Sequence, residues 1–261
     1  MVDKKENIAE KTSKVDIDVQ DNVIEVRNLQ KSFGDNHVLR DISLNLRRGE
    51  NIVILGKSGI GKSVLIKCIV RLIYPDAGVV KVLDHSIPDL DDDELNELRK
   101  KVGYLFQGGA LYDSMTVREN LAFPVRRTLI SKNKNEVERM VREVLENVGL
   151  EEAIDKFPAE LSGGMKKRIG LARTLILKPE IILYDEPTTG LDPVTSKEIS
   201  ELLLDIQTKY KTSSIIITHD IKCARMTANR IMVLRDGLFV AEGTYDELKQ
   251  SDDKEVRAYF K

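Results

Sequence analysis

The feature that most constrains this chain is a glycine-rich turn between a buried strand and a helix. Residues 51–55, Asn-Ile-Val-Ile-Leu, form a continuous apolar run, which is typical of a strand covered on both faces. Residues 56–63 follow directly as Gly-Lys-Ser-Gly-Ile-Gly-Lys-Ser and match G-x-x-x-x-G-K-[ST]. The next segment predicts a helix, because apolar residues recur at helical spacing: Leu65, Ile69, Leu72 and Ile73. This strand–turn–helix context predicts a phosphate-binding loop.

The residue types in this turn suit a phosphate chain. Glycines allow positive φ angles that turn successive N–H groups towards one point, and the helix that follows aims its positive end there. Lys62 supplies an ammonium for the β and γ phosphates, and the Ser63 hydroxyl is a ligand for Mg²⁺. We therefore predict a nucleotide site in the segment that we call the phosphate loop: Gly56, Lys57, Ser58, Gly59, Ile60, Gly61, Lys62 and Ser63.

Strand and helix patterns alternate over the rest of the chain. Apolar runs predict strands at residues 23–29, 37–46, 51–55, 79–83, 102–106, 181–184 and 214–218, and a hairpin around Asp236-Gly237. An acidic segment at residues 89–98 predicts the start of a helix. Residues 107–165 contain no strand pattern but carry an amphipathic stripe: Val137, Met140, Val141, Val144, Leu145 and Val148. The alternation predicts an α/β fold with a parallel sheet covered by helices and divided by a helical insertion.

Length and composition bound the domain organisation and exclude several classes of protein. The 261 residues fit one large domain or two small ones, and a hydrophobic content of 41% suffices for a sizeable core. We expect residues 1–22 to be a flexible leader and residues 251–261 a C-terminal tail. The 41 basic and 43 acidic residues argue against nucleic-acid binding by bulk charge. The chain lacks an apolar span or signal core, and Cys68 and Cys223 are predicted to be packed thiols.

Polar residues follow three of the predicted strands. Asp185 and Glu186 end the strand at 181–184, where Asp185 suits Mg²⁺ and Glu186 suits polarisation of the water that attacks a γ phosphate. Gln107 and His219 end the strands at 102–106 and 214–218. Because the carboxyl ends of parallel strands line the ligand crevice, we expect all four to face the nucleotide.

The segment Leu161-Ser-Gly-Gly-Met165, which we call the signature segment, resembles the LSGGQ motif of the ATP-binding cassette (ABC) ATPases. Met stands where that family has Gln. The resemblance covers about residues 23–250 and implies that they form a single domain, with the helical subdomain at about 107–165 inserted in its core. It implies a P-loop NTPase fold of the ABC type, with a RecA-like parallel-sheet core, an antiparallel β subdomain and a helical signature subdomain. It also implies ATP hydrolysis with ATP and Mg²⁺ as cofactors.

The same resemblance implies residue roles. Phe33 would stack on adenine, although without the family a buried core aromatic is the simpler interpretation. Gln107 would sense the γ phosphate and ligate Mg²⁺ together with Ser63 and Asp185. Asp192 would be the D-loop carboxylate. The implied catalytic residues are Glu186, His219, Gln107 and Lys62.

The signature segment has its own local chemistry. Ser162, Gly163 and Gly164 precede a predicted helix, so they offer a hydroxyl and bare N–H groups to an anion. The resemblance implies that this anion is the γ phosphate held by a second copy of the chain, paired head to tail. The run Lys166-Lys167-Arg168, together with Arg47 and Arg48, either adds positive charge to this site or lies on a solvated surface.

The segment after Gln107 narrows the resemblance. Residues 106–117 and 119–124 are similar to the ATPase subunits of the Mla-type, MCE-associated phospholipid transporters of bacterial envelopes. This implies a peripheral protein on the cytoplasmic face of the bacterial inner membrane. It also implies an integral-membrane permease, an MCE-domain substrate-binding protein and a small regulatory subunit as partners, with no nucleic acid.

Three alternatives stay open at this point. One is the ATPase of an importer for a polar solute such as an amino acid, which the segment after Gln107 disfavours. Another is a soluble ABC protein acting on nucleic acid or the ribosome, which the single cassette, the short insertion and the acidic balance disfavour. The third is a nucleotide switch without turnover, which the presence of both Asp185 and Glu186 disfavours.

Overall fold

A computed structural model describes residues 21–260 of the chain, except for residues 129, 131 and 132. The strands of this part are β1 (Asn22–Phe33), β2 (Asn36–Arg47), β3 (Asn51–Leu55), β4 (Ala77–Val82), β5 (His85–Ser86), β6 (Val102–Leu105), β7 (Ile181–Asp185), β8 (Ser213–Thr218), β9 (Arg230–Arg235) and β10 (Leu238–Gly243). The helices are α1 (Lys62–Ile69), α2 (Asp92–Lys101), α3 (Val117–Arg127), α4 (Lys134–Val148), α5 (Gly163–Leu175), α6 (Pro193–Tyr210), α7 (Ile221–Thr227), α8 (Tyr245–Lys249) and α9 (Lys254–Tyr259).

The strands form one mixed sheet in the order β5-β4-β1-β2-β10-β9-β3-β8-β7-β6. The half from β9 to β6 is parallel, as the alternation of strands and helices predicts. The other half is antiparallel between β1, β2, β4 and β5, and β10 pairs with β9 in the predicted hairpin. The general prediction of a parallel sheet is therefore right for half of the strands. The antiparallel subdomain implied by the resemblance is confirmed.

The sheet separates two apolar layers. Side chains of β3 alternate between them, with Val53 and Leu55 facing the layer of α3, α4 and α5, and Ile52 and Ile54 facing the layer of α1. All five residues of β3 are buried. Packing on both faces fixes the carboxyl end of β3, which is where the phosphate loop begins.

Two helix boundaries differ from the sequence prediction. Helix α1 ends at Ile69, so Leu72 and Ile73 lie beyond it; Arg71 has a positive φ of 52° that ends the helical path. Helix α2 begins at Asp92 rather than at residue 89, because Asp91 caps it. The Asp91 carboxylate accepts from the backbone N–H of residues 93 and 94, which completes a capping box.

The helical insertion contains α3, α4 and the start of α5. The predicted stripe on α4 is confirmed: its valines and Leu145 are buried and Met140 is partly buried. Asn120 on α3 is fully buried; it accepts from the N–H of Tyr112 and donates to the carbonyls of Tyr112, Met115 and Thr116. This side chain fixes the path of the segment between β6 and α3.

The chain ends of the described part pack on the same body. Asn22, from the predicted leader, begins β1, and residues 1–20 lie outside the described residues. Val256 and Phe260, from the predicted tail, are buried in the core layer of α3, α4 and α5. Cys68 and Cys223 are buried as predicted. Of the helices in the described part, none has both the length and the apolar character that crossing a membrane requires.

Candidate nucleotide-binding site

The phosphate loop joins the carboxyl end of β3 to the first residue of α1. Gly61 is the N-cap of α1 with φ 109° and ψ 2°, a conformation that an L side chain rarely adopts. A Cβ atom at Gly61 would lie 2.6 Å from Cγ1 of Val38 on β2. Glycine is therefore required here both by the backbone and by the approach of a neighbouring strand.

The Lys62 ammonium is held over this loop. Its Nζ donates to the carbonyl of Gly56 at 2.8 Å and to that of Lys57 at 3.1 Å. It also forms an ion pair with Oε1 of Glu186 at 3.2 Å, and the two side chains are only 5% and 10% exposed. A phosphate that binds here therefore competes with Glu186 for a cation that water screens weakly.

Ser63 and Asp185 form a donor set that fits Mg²⁺. The Ser63 hydroxyl donates to Oδ1 of Asp185 at 2.9 Å, and the hydroxyl of Tyr104 donates to Oδ2 at 3.2 Å. Asp185 is 5% exposed, and within the described residues it has no cationic partner in an ion pair. One carboxylate and one hydroxyl beside a phosphate site suit a hard cation that keeps several waters. Within the described ranges, no group of three or more His, Cys, Asp or Glu residues is placed to hold a metal ion.

Glu186 lies at the centre of a network of hydrogen bonds. Its Oε2 is 2.9 Å from Nδ1 of His219 and accepts from the Thr189 hydroxyl at 2.9 Å. The backbone of Glu186 has φ 50°, which is unusual for a residue with a side chain. The Glu186 N–H donates to the carbonyl of Ile217 on β8 at 2.9 Å. The neighbouring strand thus holds a strained backbone that aims the carboxylate towards Lys62.

Gln107 reaches this network through its backbone. The side chain of Gln107 is exposed, whereas its carbonyl accepts from Nζ of Lys167. Lys167 is 6% exposed and also donates to the carbonyl of Glu186 at 3.0 Å. Burial lowers the pKa of Lys167. The structure therefore places Lys167 inside the molecule, and the solvated-surface interpretation of residues 166–168 is wrong for this residue.

Phe33 lies at the end of β1 and is 47% exposed. Its ring is 5.2 Å from Nζ of Lys31. The alternative that Phe33 is a buried core aromatic is therefore wrong. An exposed ring at the end of a strand is free to stack on a flat ligand.

The signature segment and Asp192 cap two helices. The Ser162 hydroxyl accepts from the Met165 N–H at 3.2 Å, with Gly163 exposed and Gly164 partly exposed. The Asp192 carboxylate accepts from two backbone N–H groups of α6 and from the Thr195 hydroxyl, and these hydrogen bonds lower its pKa. Across the part of the chain that the structure describes, no hydrogen bond or ion pair joins Ser162 or Asp192 to the phosphate loop.

The predicted residues fall into two groups. Glu186 contacts both Lys62 and His219, and Ser63 contacts Asp185, the residue next to Glu186 in the chain. Phe33, Ser162, Gly163, Gly164 and Asp192 make none of these contacts and are exposed or partly exposed. Sequence reasoning missed Tyr104 and Thr189, and it did not predict that Lys167 is buried. For Lys167 a signal existed, because it shares a helical face with Leu171 and Leu175, both buried.

Comparison with known proteins decides the family. A family model described as ABC transporter matches residues 39–189, which is more than half of the chain. This chain belongs to the ABC transporter family. The resemblance of the sequence to the ABC ATPases is thereby confirmed, and the chain is the ATP-binding subunit of an ABC transporter.

Relatives of this ABC ATPase are named for the transport of different substrates. It is 41% identical over 237 residues to the probable ribonucleotide transport ATP-binding protein mkl of Mycobacterium leprae, covering 91% of this chain and 68% of that protein. It is 39% identical over 227 residues to the methionine import ATP-binding protein MetN of Clostridium tetani, covering 87% of this chain and 70% of that protein. The chain thus spans about two thirds of the length of these relatives.

Solved structures of ABC cassettes share the fold of this ABC ATPase. The dimeric ATP-binding cassette MJ0796 in a post-hydrolysis state with ADP and Pi has a TM-score of 0.77 and 34% identity, covering 85% of this chain and 98% of that one. The structure of cbiO1 from Clostridium perfringens, part of the transporter complex cbiONQ, has a TM-score of 0.78 and 27% identity, covering 92% and 99%. The P-loop ABC fold is confirmed by these neighbours.

Proposed function

We propose that this chain hydrolyses ATP with Glu186 as the base for the attacking water. The observation that carries the proposal is the position of its carboxylate, within 3.2 Å of Lys62 and 2.9 Å of His219. A general base has to lie within hydrogen-bond reach of its proton and be oriented by a further group. His219 and Thr189 supply that orientation, and Lys62 links the base to the phosphates.

The other residues bind and orient the nucleotide. Lys62 and the N–H groups of residues 56–63 receive the β and γ phosphates, and Ser63 and Asp185 hold the metal. Mg²⁺, when bound with ATP, neutralises charge that develops on the phosphates. The exposed Phe33 ring stacks on adenine.

A second copy of the chain completes the site. Ser162 and the N-terminus of α5 form an exposed set of donors, and no hydrogen bond within the described residues ties them to the phosphate loop. They are therefore available to the γ phosphate bound by another copy. The dimeric structure of MJ0796, which contains ADP and Pi, supports this arrangement.

The test compares Glu186→Gln with wild type. The variant keeps the loop and loses the base, so we expect ATP hydrolysis to fall about 10²–10⁴-fold while Mg-ATP drives a stable dimer in size-exclusion chromatography. The matched control is Glu180→Gln, a partly exposed acid just before β7 that pairs with Arg48. An unchanged hydrolysis rate in Glu186→Gln would show that the base is wrongly assigned, and a variant that stays monomeric with ATP would refute the composite site.

We also propose that the transported substrate is phospholipid, moved between the inner and outer membranes of a bacterial envelope. The support is the sequence of residues 106–124. In this segment, whose path Asn120 fixes, the ring centroids of Tyr112 and Phe123 lie 5.1 Å apart and both rings are exposed. An exposed aromatic pair of this kind suits contact with a permease. The chain would then lie on the cytoplasmic face of the inner membrane, with a permease, an MCE-domain protein and a small regulatory subunit.

The second candidate is a polar-solute importer. The name of the Clostridium tetani relative, a methionine import protein, favours it. Purification of the tagged chain from detergent-solubilised membranes separates the two. An MCE-domain protein and bound phospholipid in the complex support lipid transport, whereas a soluble binding protein for an amino acid refutes it. Recovery with ribosomes or nucleic acid would refute both.

A further inference from the structure

Lys167 makes contacts that join three separate parts of the chain. The residue lies on α5, two residues after the signature segment, and its side chain is buried. It donates to the carbonyl of Gln107, directly after β6, and to the carbonyl of Glu186, directly after β7. Because a buried ammonium is costly unless its protons are hydrogen-bonded, these two carbonyls hold it firmly in place.

Helix α5 and the segment after β6 fit together closely around this contact. A Cβ atom at Gly170 would lie 3.0 Å from Cα of Gly109, so the two backbones touch without intervening side chains. The guanidinium of Arg173 donates to the Gly109 carbonyl at 3.2 Å. Any displacement of α5 is therefore passed to residues 107–109, since close-packed parts move together.

The second contact of Lys167 acts on the strained residue of the site. Glu186 has φ 50°, and its backbone is held from one side by Ile217 and from the other by Lys167. A small rotation of this peptide would swing the carboxylate away from Lys62 and His219. In an active site, a misplacement of about 1 Å costs up to about 100-fold in rate.

We propose that Lys167 is a positioning residue, which couples the signature helix and the segment after β6 to the carboxylate of Glu186. This inference rests on the proposed function of Glu186. Through Lys167, a movement of α5 against the sheet changes the aim of the base. The nucleotide itself is bound by the phosphate loop, with which the Lys167 side chain shares no hydrogen bond in the described ranges.

The test uses Lys167→Met in the full chain, with Lys167→Gln as a second variant that keeps a shorter donor. For Lys167→Met we expect a 10- to 100-fold lower kcat, with the KM for ATP and the Kd for Mg-ADP within threefold of wild type. Thermal unfolding defines the folded fraction, and if the Met variant does not fold, the Gln variant takes its place. The matched control is Lys101→Met, an exposed lysine 4.0 Å from Glu180, which should retain the kcat of wild type.

A second measurement separates positioning from a general loss of structure. Lys167→Met is combined with Glu186→Gln, and single-turnover hydrolysis is followed with enzyme in excess. If Lys167 acts through the Glu186 carboxylate, Lys167→Met lowers the residual hydrolysis rate of the Glu186→Gln variant by less than threefold. An equal fall in both backgrounds, a kcat within threefold of wild type, or a joint loss of kcat and nucleotide affinity would overturn the proposal. If Glu186→Gln alone left the rate of ATP hydrolysis at that of wild type, the proposed function of Glu186 would be refuted instead.

Discussion

Gly61→Ala places a methyl group at the tightest point of the phosphate loop. The left-handed backbone costs an alanine about 1–2 kcal/mol, and overpacking a filled site costs about 1–3 kcal/mol more. The second cost arises because the new Cβ would lie 2.6 Å from Cγ1 of Val38 and 3.3 Å from its carbonyl oxygen. The sum is about 2–5 kcal/mol, divided between folding and nucleotide binding according to whether the loop keeps its shape.

Two measurements separate the cost to folding from the cost to nucleotide binding. Denaturant unfolding gives the loss in unfolding free energy, and titration calorimetry with Mg-ADP gives the loss in binding. A share of about 2 kcal/mol in binding weakens nucleotide about 30-fold. The control is Gly49→Ala in the turn between β2 and β3, with φ 74° and no atom within 4 Å of the added Cβ. It should lose about 1–2 kcal/mol of unfolding free energy and no nucleotide affinity. If Gly61→Ala bound nucleotide within threefold of wild type with no greater loss of stability than Gly49→Ala, the steric reasoning would be refuted.

Three further predictions concern stability and reactivity. Asn120→Ala removes the fully buried amide that bonds the Tyr112 N–H and the Met115 carbonyl, so its unfolding free energy in urea should fall by about 1–3 kcal/mol, and an unchanged midpoint would contradict this. The hydrogen bond from Arg118 lowers the pKa of Glu138, so the stabilisation from this pair is fully present above the usual carboxyl range and is lost as pH falls from that range through the lowered pKa. Arg118→Met should therefore cost less than about 1 kcal/mol at pH 7 and nothing in acid, and a difference from wild type that grew in acid would reverse the sign of the argument. Burial raises the pKa of Cys68 and Cys223 to about 11, so a thiol reagent at pH 8 should label them only as the protein unfolds; rapid labelling of native protein would contradict their burial.

The local parts of the site could be predicted from the sequence because their chemistry is contained in short segments. The order strand, glycine-rich turn, Lys62 and Ser63 predicts the phosphate loop, and the acids after β7 predict their place at the carboxyl edge of the sheet. The helix ends were less predictable. Capping by Asp91 and the positive φ of Arg71 set them through backbone hydrogen bonds and dihedral angles, which apolar spacing does not report.

The sequence by itself determined which residues bear charge, which strands are apolar on both faces and where a phosphate can bind, since these depend on neighbours a few positions away. The tertiary structure alone decided that β10 lies between β2 and β9, that Tyr104 bonds to Asp185, and that Lys167 is buried between two distant carbonyls. Each of these contacts joins residues far apart in the chain, and their geometry exists only after the sheet has assembled and excluded water. A lysine in a basic run is ordinarily solvated; here the close packing of α5 on the segment after β6 places it inside the molecule.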